Sequence, residues 1–178
     1  IVMMILLLLG KMPLFDSICM SFGAAGTGGF ACRNSGQADY TVYQQAVITI
    51  FMLLFGVNFN VYYLLLIRRP KDAGRCEELR GYLAVVAIAI LLITINIRSL
   101  FPSLFMAFHQ AAFQVSSIIT TTGYSTIDYN SWPEFSKTIL LLIMFIGACA
   151  GSTGGGMKVS RVMIAFKEIK KEMASVIH

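Results

Sequence analysis

Two short runs of threonine and glycine have the composition of a site that binds a cation through backbone carbonyls. The runs are Gly-Thr-Gly-Gly-Phe at residues 26–30 and Thr-Thr-Thr-Gly-Tyr at residues 120–124. A carbonyl ring that replaces the hydration shell of K⁺ needs small or hydroxylated residues and a glycine that can adopt a positive φ angle. Both runs meet these demands. An ordinary helix end with a capping glycine would use the same residue types, so one run alone is ambiguous.

A third run of small residues interrupts an apolar stretch near the end of the chain. Residues 151–156 are Gly-Ser-Thr-Gly-Gly-Gly, and Met157 and Lys158 follow them. Three consecutive glycines break a helix. A phosphate-binding loop is excluded, because Met157 separates the last glycine from the lysine and the run interrupts an apolar helix. Close helix packing through small residues stays open as an alternative.

The side chains that usually carry catalysis or bind metals show no useful pattern. The cysteines lack CxxC and Cys/His spacing: Cys19, Cys32, Cys76 and Cys149. His109 falls in an apolar, aromatic stretch, where we expect a packed polar residue, and His178 ends the chain. Neither a zinc site nor a disulfide framework is supported. We therefore predict that the chain is not an enzyme and needs no cofactor.

The elements that must position these runs are predicted to lie in a bilayer. Of the 178 residues 57% are hydrophobic and 13% are charged, and the mean hydropathy is +0.74. A spanning helix needs about 20 apolar residues. Residues 46–67 supply the clearest span, and residues 81–97 reach spanning length if Arg80 and Arg98 extend toward the interfaces. The apolar opening, residues 1–10, resembles a truncated helix, so we expect the chain to begin within a longer protein.

The net charge of +5 is explained by topology better than by nucleic-acid binding. Basic residues follow the first predicted span and the last one, and the positive-inside rule makes both clusters cytoplasmic. The clusters are Arg68, Arg69, Lys71, Arg75 and Arg80, and then Lys158, Arg161, Lys167, Lys170 and Lys171. Residues 11–45 and 98–137 are then external.

One order of parts occurs twice along the chain. Each copy has an external entry, a short apolar helix, a Thr/Gly turn, a polar loop, a spanning helix and a basic end. The short helices are predicted at residues 14–25 and 103–119. Both are too short to span, so the chain is expected to dip into the membrane and return to the same side. Non-helical backbone at that depth is tolerated only where it is buried in protein or lines a watery path.

With this order of parts, the chain resembles the Trk/Ktr/HKT superfamily of potassium transporters. The resemblance rests on the two Thr/Gly turns and on the ungapped run at residues 151–156, with Lys158 and Arg161 behind it. It implies an all-α integral membrane fold, in which four units of helix M1, re-entrant pore loop and helix M2 surround one pore. The expected segments are a second pore unit (1–70), a cytoplasmic linker (71–80), a third pore unit with its last helix broken at the glycine-rich intramembrane loop (81–172, break 151–156) and a cytoplasmic tail (173–178).

The resemblance also assigns roles to residues. Each unit of the superfamily contributes one filter glycine, and that role falls on Gly29 and Gly123. Gly28 competes with Gly29, which we prefer because Phe30 then matches Tyr124. The expected filter residues are Thr27, Gly28, Gly29, Phe30, Thr121, Thr122, Gly123 and Tyr124, with K⁺ held by the backbone of Gly29, Thr122 and Gly123. The expected gate residues are Gly151, Ser152, Thr153, Gly154, Gly155, Gly156 and Lys158.

Several polar residues keep two interpretations each. Asn58 and Asn60, inside the first predicted span, either join helices or line the path, and joining helices is favoured. Three residues of the second short helix either brace the turn or simply pack: Gln114, Ser116 and Ser117.

The function implied by the resemblance is K⁺ transport across the inner (plasma) membrane by a multi-pass protein. The implied partners are the remaining pore units of the same protein, a second copy in a homodimer, a cytoplasmic regulatory subunit that binds nucleotide, and membrane lipid; no nucleic acid is expected. The alternative is a non-transporting assembly or signalling protein whose glycines allow close helix packing.

Overall fold

The computed structural model describes residues 1–32 and 36–177, and it consists of helices joined by short connections. The helices are α1 (Val2–Leu9), α2 (Leu14–Ala25), α3 (Val42–Phe55), α4 (Phe59–Leu66), α5 (Pro70–Gly74), α6 (Glu77–Ile97), α7 (Leu104–Ile119), α8 (Glu134–Phe145) and α9 (Val159–Ile177), with 3₁₀ turns at Arg98–Leu100 and Tyr129–Ser131. The described residues form no strand, apart from an isolated parallel bridge between Ile146 and Met157. The prediction of an all-helical fold is confirmed. Residues 33–35 of the predicted polar stretch and His178 of the predicted tail lie outside the described residues.

Helix α2 has the predicted bounds, and α7 begins one residue after the predicted start at residue 103. Pro13 precedes α2, which ends at Ala25. Ser103 caps α7, because its hydroxyl accepts a hydrogen bond from the Met106 amide at 3.2 Å. Both helices are apolar but shorter than a membrane span.

Helix α6 has the length and composition of a membrane span. Together with the following 3₁₀ turn it covers Glu77–Leu100, 24 residues, so it begins four residues before the predicted start at residue 81. One face packs in the core through Tyr82, Val86, Ile90, Ile93 and Ile97, whereas the opposite face exposes Leu83, Ile88, Leu91, Leu92 and Ile95. A helix that is apolar all round is typical of a buried or membrane environment. The predicted linker, residues 71–80, is partly helical, since it contains most of α5 and the start of α6.

The predicted continuous span at residues 46–67 is wrong. The apolar run is divided between α3 and α4, whose axes meet at 90°. Gly56 ends α3, and the Asn58 side chain caps α4 by accepting a hydrogen bond from the Asn60 amide at 2.9 Å. An N-capping side chain takes up a backbone N–H that the next helix leaves free, and so favours a new start. Counting apolar residues does not detect such a break.

The predicted break at residues 151–156 is also too narrow. Helix α8 ends at Phe145 and α9 begins at Val159. We call the intervening residues 146–158 the glycine loop. Ile146 and Met157, apolar residues on either side of the glycines, pair in the isolated bridge and so belong to the loop and not to the helices. Helix α9 continues to Ile177, so the predicted tail is helical as far as it is described.

Helix α7 holds the two copies together. It contacts α3 of the first copy and α6 and α8 of the second. Polar contacts fix its buried side: His109 Nε2 lies 2.9 Å from Gln45 Oε1, and the Thr126 hydroxyl donates to Gln110 Oε1 at 2.5 Å. His109 is thus the packed polar residue that the sequence predicts. Because buried polar groups need partners, these contacts fix the rotation of α7 and the direction in which its C-terminal end points.

Candidate functional site

The two Thr/Gly turns follow the same backbone path. In each, a threonine after the end of the short helix adopts a left-handed conformation, with φ of 50° at Thr27 and 56° at Thr121. Two residues later comes a glycine with positive φ, 71° at Gly29 and 84° at Gly123. The repeated order of parts in the sequence therefore corresponds to a repeated local conformation.

Backbone hydrogen bonds align the two turns residue by residue. The Gly28 amide donates to the Gly23 carbonyl at 2.8 Å, and the Thr122 amide donates to the Ser117 carbonyl at 2.9 Å. Both bonds join residues five apart. Gly28 therefore corresponds to Thr122, and Gly29 corresponds to Gly123. Of the two glycines that compete in the first turn, only Gly29 has a positive φ.

Side chains of α7 brace the second turn. The Ser117 hydroxyl donates to the Tyr124 carbonyl at 2.6 Å. Gln114 Nε2 reaches the Ser125 hydroxyl at 3.2 Å and the Ile127 carbonyl at 3.3 Å. Ser116, by contrast, bonds within its own helix to the Phe113 carbonyl. Of the three residues with two interpretations, Ser117 and Gln114 support the turn and Ser116 packs.

The two turns lie directly against each other. A Cβ atom added at Gly29 would clash with the Thr122 carbonyl oxygen, whereas one added at Gly123 would meet nothing within 4 Å. The backbone of the first turn thus faces a carbonyl of the second, and Gly123 borders open space. Within the described residues, no three His, Cys, Asp or Glu side chains are grouped to hold a metal ion. The polar atoms that the two turns themselves offer are backbone carbonyls and amides and threonine hydroxyls.

The aromatic residues that follow the glycines differ in environment. Tyr124 is 2% exposed and packs with Phe113 and Met20, and its hydroxyl lies against Gly23 of α2. Phe30 is 82% exposed. The second turn thus inserts its aromatic side chain against the short helix of the other copy, while the aromatic side chain of the first turn projects from the described surface.

Backbone hydrogen bonds close the neck of the glycine loop. The Gly147 amide donates to the Met157 carbonyl at 2.8 Å, and the Val159 amide donates to the Ala148 carbonyl at 3.3 Å. A Cβ atom at Gly147 would clash with the Gly155 carbonyl oxygen. Helices α8 and α9 are therefore joined by a closed loop and not by a loose linker.

The glycine loop lies against both Thr/Gly turns. The Thr27 hydroxyl donates to the Thr153 carbonyl at 3.0 Å, and the Gly155 amide donates to the Thr121 hydroxyl at 2.7 Å. Each of the two threonines with left-handed backbone thus forms a hydrogen bond to the loop through its hydroxyl group. Lys158, the last residue of the loop before α9, donates to the Gly154 carbonyl within the loop.

Sequence analysis missed the contact between the glycine loop and the break in the first predicted span. The Cys149 amide donates to the Gly56 carbonyl at 3.0 Å, and the Phe59 amide donates to the Gly151 carbonyl at 3.2 Å. The available signal was a glycine followed two residues later by Asn58 inside an apolar run. Asn58 joins helices, the favoured one of its two interpretations, because its side chain bonds to Glu78 of α6 at 3.2 Å.

Comparisons with known proteins identify similar chains. A family model described as TrkH, cation transport protein, matches residues 100–178. The chain is 36% identical over 172 residues to the Trk system potassium uptake protein TrkH of Salmonella typhimurium, covering 94% of this chain and 35% of the relative. It is 35% identical over 178 residues to the Trk system potassium uptake protein TrkG of Escherichia coli, covering 96% of this chain and 36% of the relative.

A solved structure matches the fold. The crystal structure of the potassium transporter TrkH from Vibrio parahaemolyticus superposes with a TM-score of 0.93 at 30% sequence identity, covering 98% of this chain and 39% of that one. The chain spans about a third of the length of the curated relatives it matches.

Proposed function

We propose that this chain, which belongs to the TrkH family of cation transport proteins, forms part of a pathway for K⁺ uptake across a membrane. Similar proteins are named potassium uptake proteins. Because the chain corresponds to about a third of their length, transport is proposed for the whole protein that contains it.

The observation that carries the proposal is the pair of matched turns. Each ends a helix too short to span a membrane, each repeats the same positive-φ pattern, and the two are in contact. Non-helical backbone at membrane depth requires burial in protein or a watery path. We assign the carbonyl oxygens of Gly29, Thr122 and Gly123 as K⁺ ligands, because rings of carbonyls replace the hydration shell of this ion.

The glycine loop is proposed as the gate. Its contacts with Thr27 and Thr121 support a position directly beside the ion path. An ion leaving the turns on that side would meet residues 151–156 and the Lys158 ammonium group. The loop therefore has to move for the path to open, and its glycines give the backbone the freedom to do so.

The remaining assignments follow from the resemblance and from charge placement. We propose a multi-pass protein of the inner (plasma) membrane, with the basic end of α4 and helix α9 on the cytoplasmic side. Further pore units of the same protein, a second copy and a nucleotide-binding regulatory subunit are the proposed partners. Their contacts with this chain are open to test by co-purification.

A first prediction separates Gly29 from Gly28. The gene for the full-length protein that contains this chain should restore growth at low K⁺ to a bacterial strain that lacks K⁺ uptake. Gly29→Ala should abolish that growth, because the added methyl group meets the Thr122 carbonyl at a positive φ. Gly28→Ala should retain it, because the nearest atoms to its Cβ belong to the movable Phe30 ring, at 3.3 Å.

Immunoblots of membrane fractions provide the control for protein amount. Rubidium uptake with and without excess Na⁺ then shows whether residual transport remains selective. Growth supported equally by Gly29→Ala and by the parent protein would refute the assignment of Gly29. Failure of the parent gene to restore growth would count against K⁺ uptake itself.

A further inference from the structure

The glycine loop and the break between α3 and α4 complete each other's hydrogen bonding. The end of α3 leaves carbonyls without helical partners, and the start of α4 leaves amides. The loop fills both needs, since the Cys149 amide bonds to the Gly56 carbonyl and the Gly151 carbonyl accepts from the Phe59 amide. Two interruptions in different copies thus form one docked unit.

A single carboxylate joins the two interruptions to a third element. Glu78, half-buried in the first turn of α6, accepts a hydrogen bond from the Ala150 amide at 2.6 Å through Oε1. Its Oε2 accepts one from Asn58 Nδ2 at 3.2 Å. Hydrogen bonds to an ionised acceptor are about twice as strong as neutral ones. The carboxylate therefore connects the loop, the α3–α4 break and the long helix α6.

The neighbouring glutamate has a different environment. Glu77 is exposed and pairs with Lys167 of α9 at 2.5 Å. The loop contacts described above involve Glu78 and not Glu77. Two adjacent glutamates on one helix turn thus make different contacts, and Glu77 serves as the matched control.

We infer that Glu78 is a positioning residue that, with Asn58, holds the glycine loop in its closed position. We call the two hydrogen bonds that Glu78 accepts, from the Ala150 amide and from Asn58 Nδ2, the clasp. The inference rests on the proposed function, in which the loop is the gate. Helix α6 is the longest helix described, with its inner face buried along its length. The clasp thus anchors a glycine-rich segment to a firmly packed element. Removing the carboxylate leaves the Ala150 amide and the Asn58 side chain without their acceptor and favours release of the loop.

The test measures loop release and transport separately, in the full-length protein in membrane vesicles. Cys149 is 0% exposed at the start of the loop, so its reaction rate with a membrane-permeant maleimide reports release. Cys19, Cys32 and Cys76 are first changed to serine. Rubidium uptake is recorded in the same vesicles for Glu78→Ala, Glu78→Gln, Asn58→Ala and Glu77→Ala.

Glu78→Ala is expected to raise both the Cys149 reaction rate and rubidium uptake by more than about tenfold, because it removes two hydrogen bonds to a charged group and the loss of one corresponds to about tenfold. Asn58→Ala and Glu78→Gln should give smaller increases. Asn58→Ala keeps the hydrogen bond from the Ala150 amide to the Glu78 carboxylate, and in Glu78→Gln the amide oxygen still accepts one of the two hydrogen bonds. The ratio of Rb⁺ to Na⁺ uptake and the behaviour of Glu77→Ala should match the parent.

Unchanged Cys149 reactivity in both Glu78 variants would overturn the clasp. If Glu78→Ala is recovered in low amount, Glu78→Gln decides by the same two readouts, because Asn58→Ala also removes the N-cap of α4. A raised Cys149 rate with unchanged rubidium uptake would support the clasp and overturn the role of the loop as a gate, which separates failure of this inference from failure of the proposed function.

Discussion

Replacing Gly123 with aspartate is expected to abolish selective K⁺ uptake while leaving membrane insertion intact. Gly123 has φ of 84°, and an added Cβ meets nothing within 4 Å. A side chain there is strained, and it projects into the open space beside the Thr122 carbonyl. A carboxylate at this position would compete with the carbonyls for the ion and obstruct the path. Growth at low K⁺ and rubidium uptake are the measurements.

Gly74 provides a matched control for this substitution. It also has open space around its Cβ position, but it belongs to α5, away from the turns, and its φ is not positive. Gly74→Asp should therefore leave uptake close to the parent value. Selective growth of the Gly123→Asp strain at low K⁺, equal to that of the Gly74→Asp strain, would contradict the filter assignment.

Replacing Gly154, Gly155 and Gly156 together with alanine is expected to raise flux several-fold, with little change in selectivity or insertion. In the closed loop a Cβ at Gly154 lies 2.7 Å from Ala148 Cβ. At Gly156, with φ of 73°, it lies 3.1 Å from Gly147 Cα. Alanine also favours helix over glycine by about 1 kcal/mol per residue. The closed loop is thus destabilised at two positions and a helical connection is favoured.

Single substitutions resolve which glycine matters. Gly155→Ala should leave flux near the parent value, because its nearest contact is the Thr121 side chain at 3.3 Å and its φ is not positive. Gly154→Ala and Gly156→Ala should each reproduce part of the effect of the triple change, because each meets a close contact in the closed loop. Rubidium uptake in vesicles distinguishes these variants from Gly155→Ala, and equal flux in the parent, single and triple variants would eliminate the loop as a gate.

Local signals were sufficient to predict the short helices and their turns. Pro13 and Pro102 precede the two predicted short helices, and the threonines and glycines that follow mark where the helices end. These signals act over a few residues, through capping and through the φ angles that glycine allows. The alignment of Gly29 with Gly123 could likewise be proposed from the aromatic residue that follows each glycine, Phe30 and Tyr124.

Contacts between distant parts of the chain could not be predicted in the same way. The Glu78 carboxylate lies 72 residues before the Ala150 amide that it binds, and Thr27 lies 126 residues before Thr153. Nothing in the local pattern around Glu78 distinguishes it from Glu77. The 90° bend after α3 was missed for a related reason, since the backbone groups freed there are satisfied by the glycine loop.

The aromatic residues of the two turns show the same limit. Phe30 and Tyr124 occupy matching positions in the sequence, yet one is exposed and the other is buried against α2. The position of a residue in the repeat determines its place on the backbone, whereas the neighbouring helix determines what its side chain contacts. A match between repeats therefore predicts backbone conformation better than it predicts packing.

The most direct test of the K⁺ path is to locate the ion. Crystals of the full-length protein grown in Rb⁺ should give an anomalous difference peak between the two Thr/Gly turns, with carbonyl oxygens of Gly29, Thr122 and Gly123 among its ligands. The peak should disappear in Gly123→Asp crystals. Rb⁺ peaks elsewhere in the protein, with none at these turns, would contradict the assignment of residues 26–30 and 120–124 as the site where the ion is held.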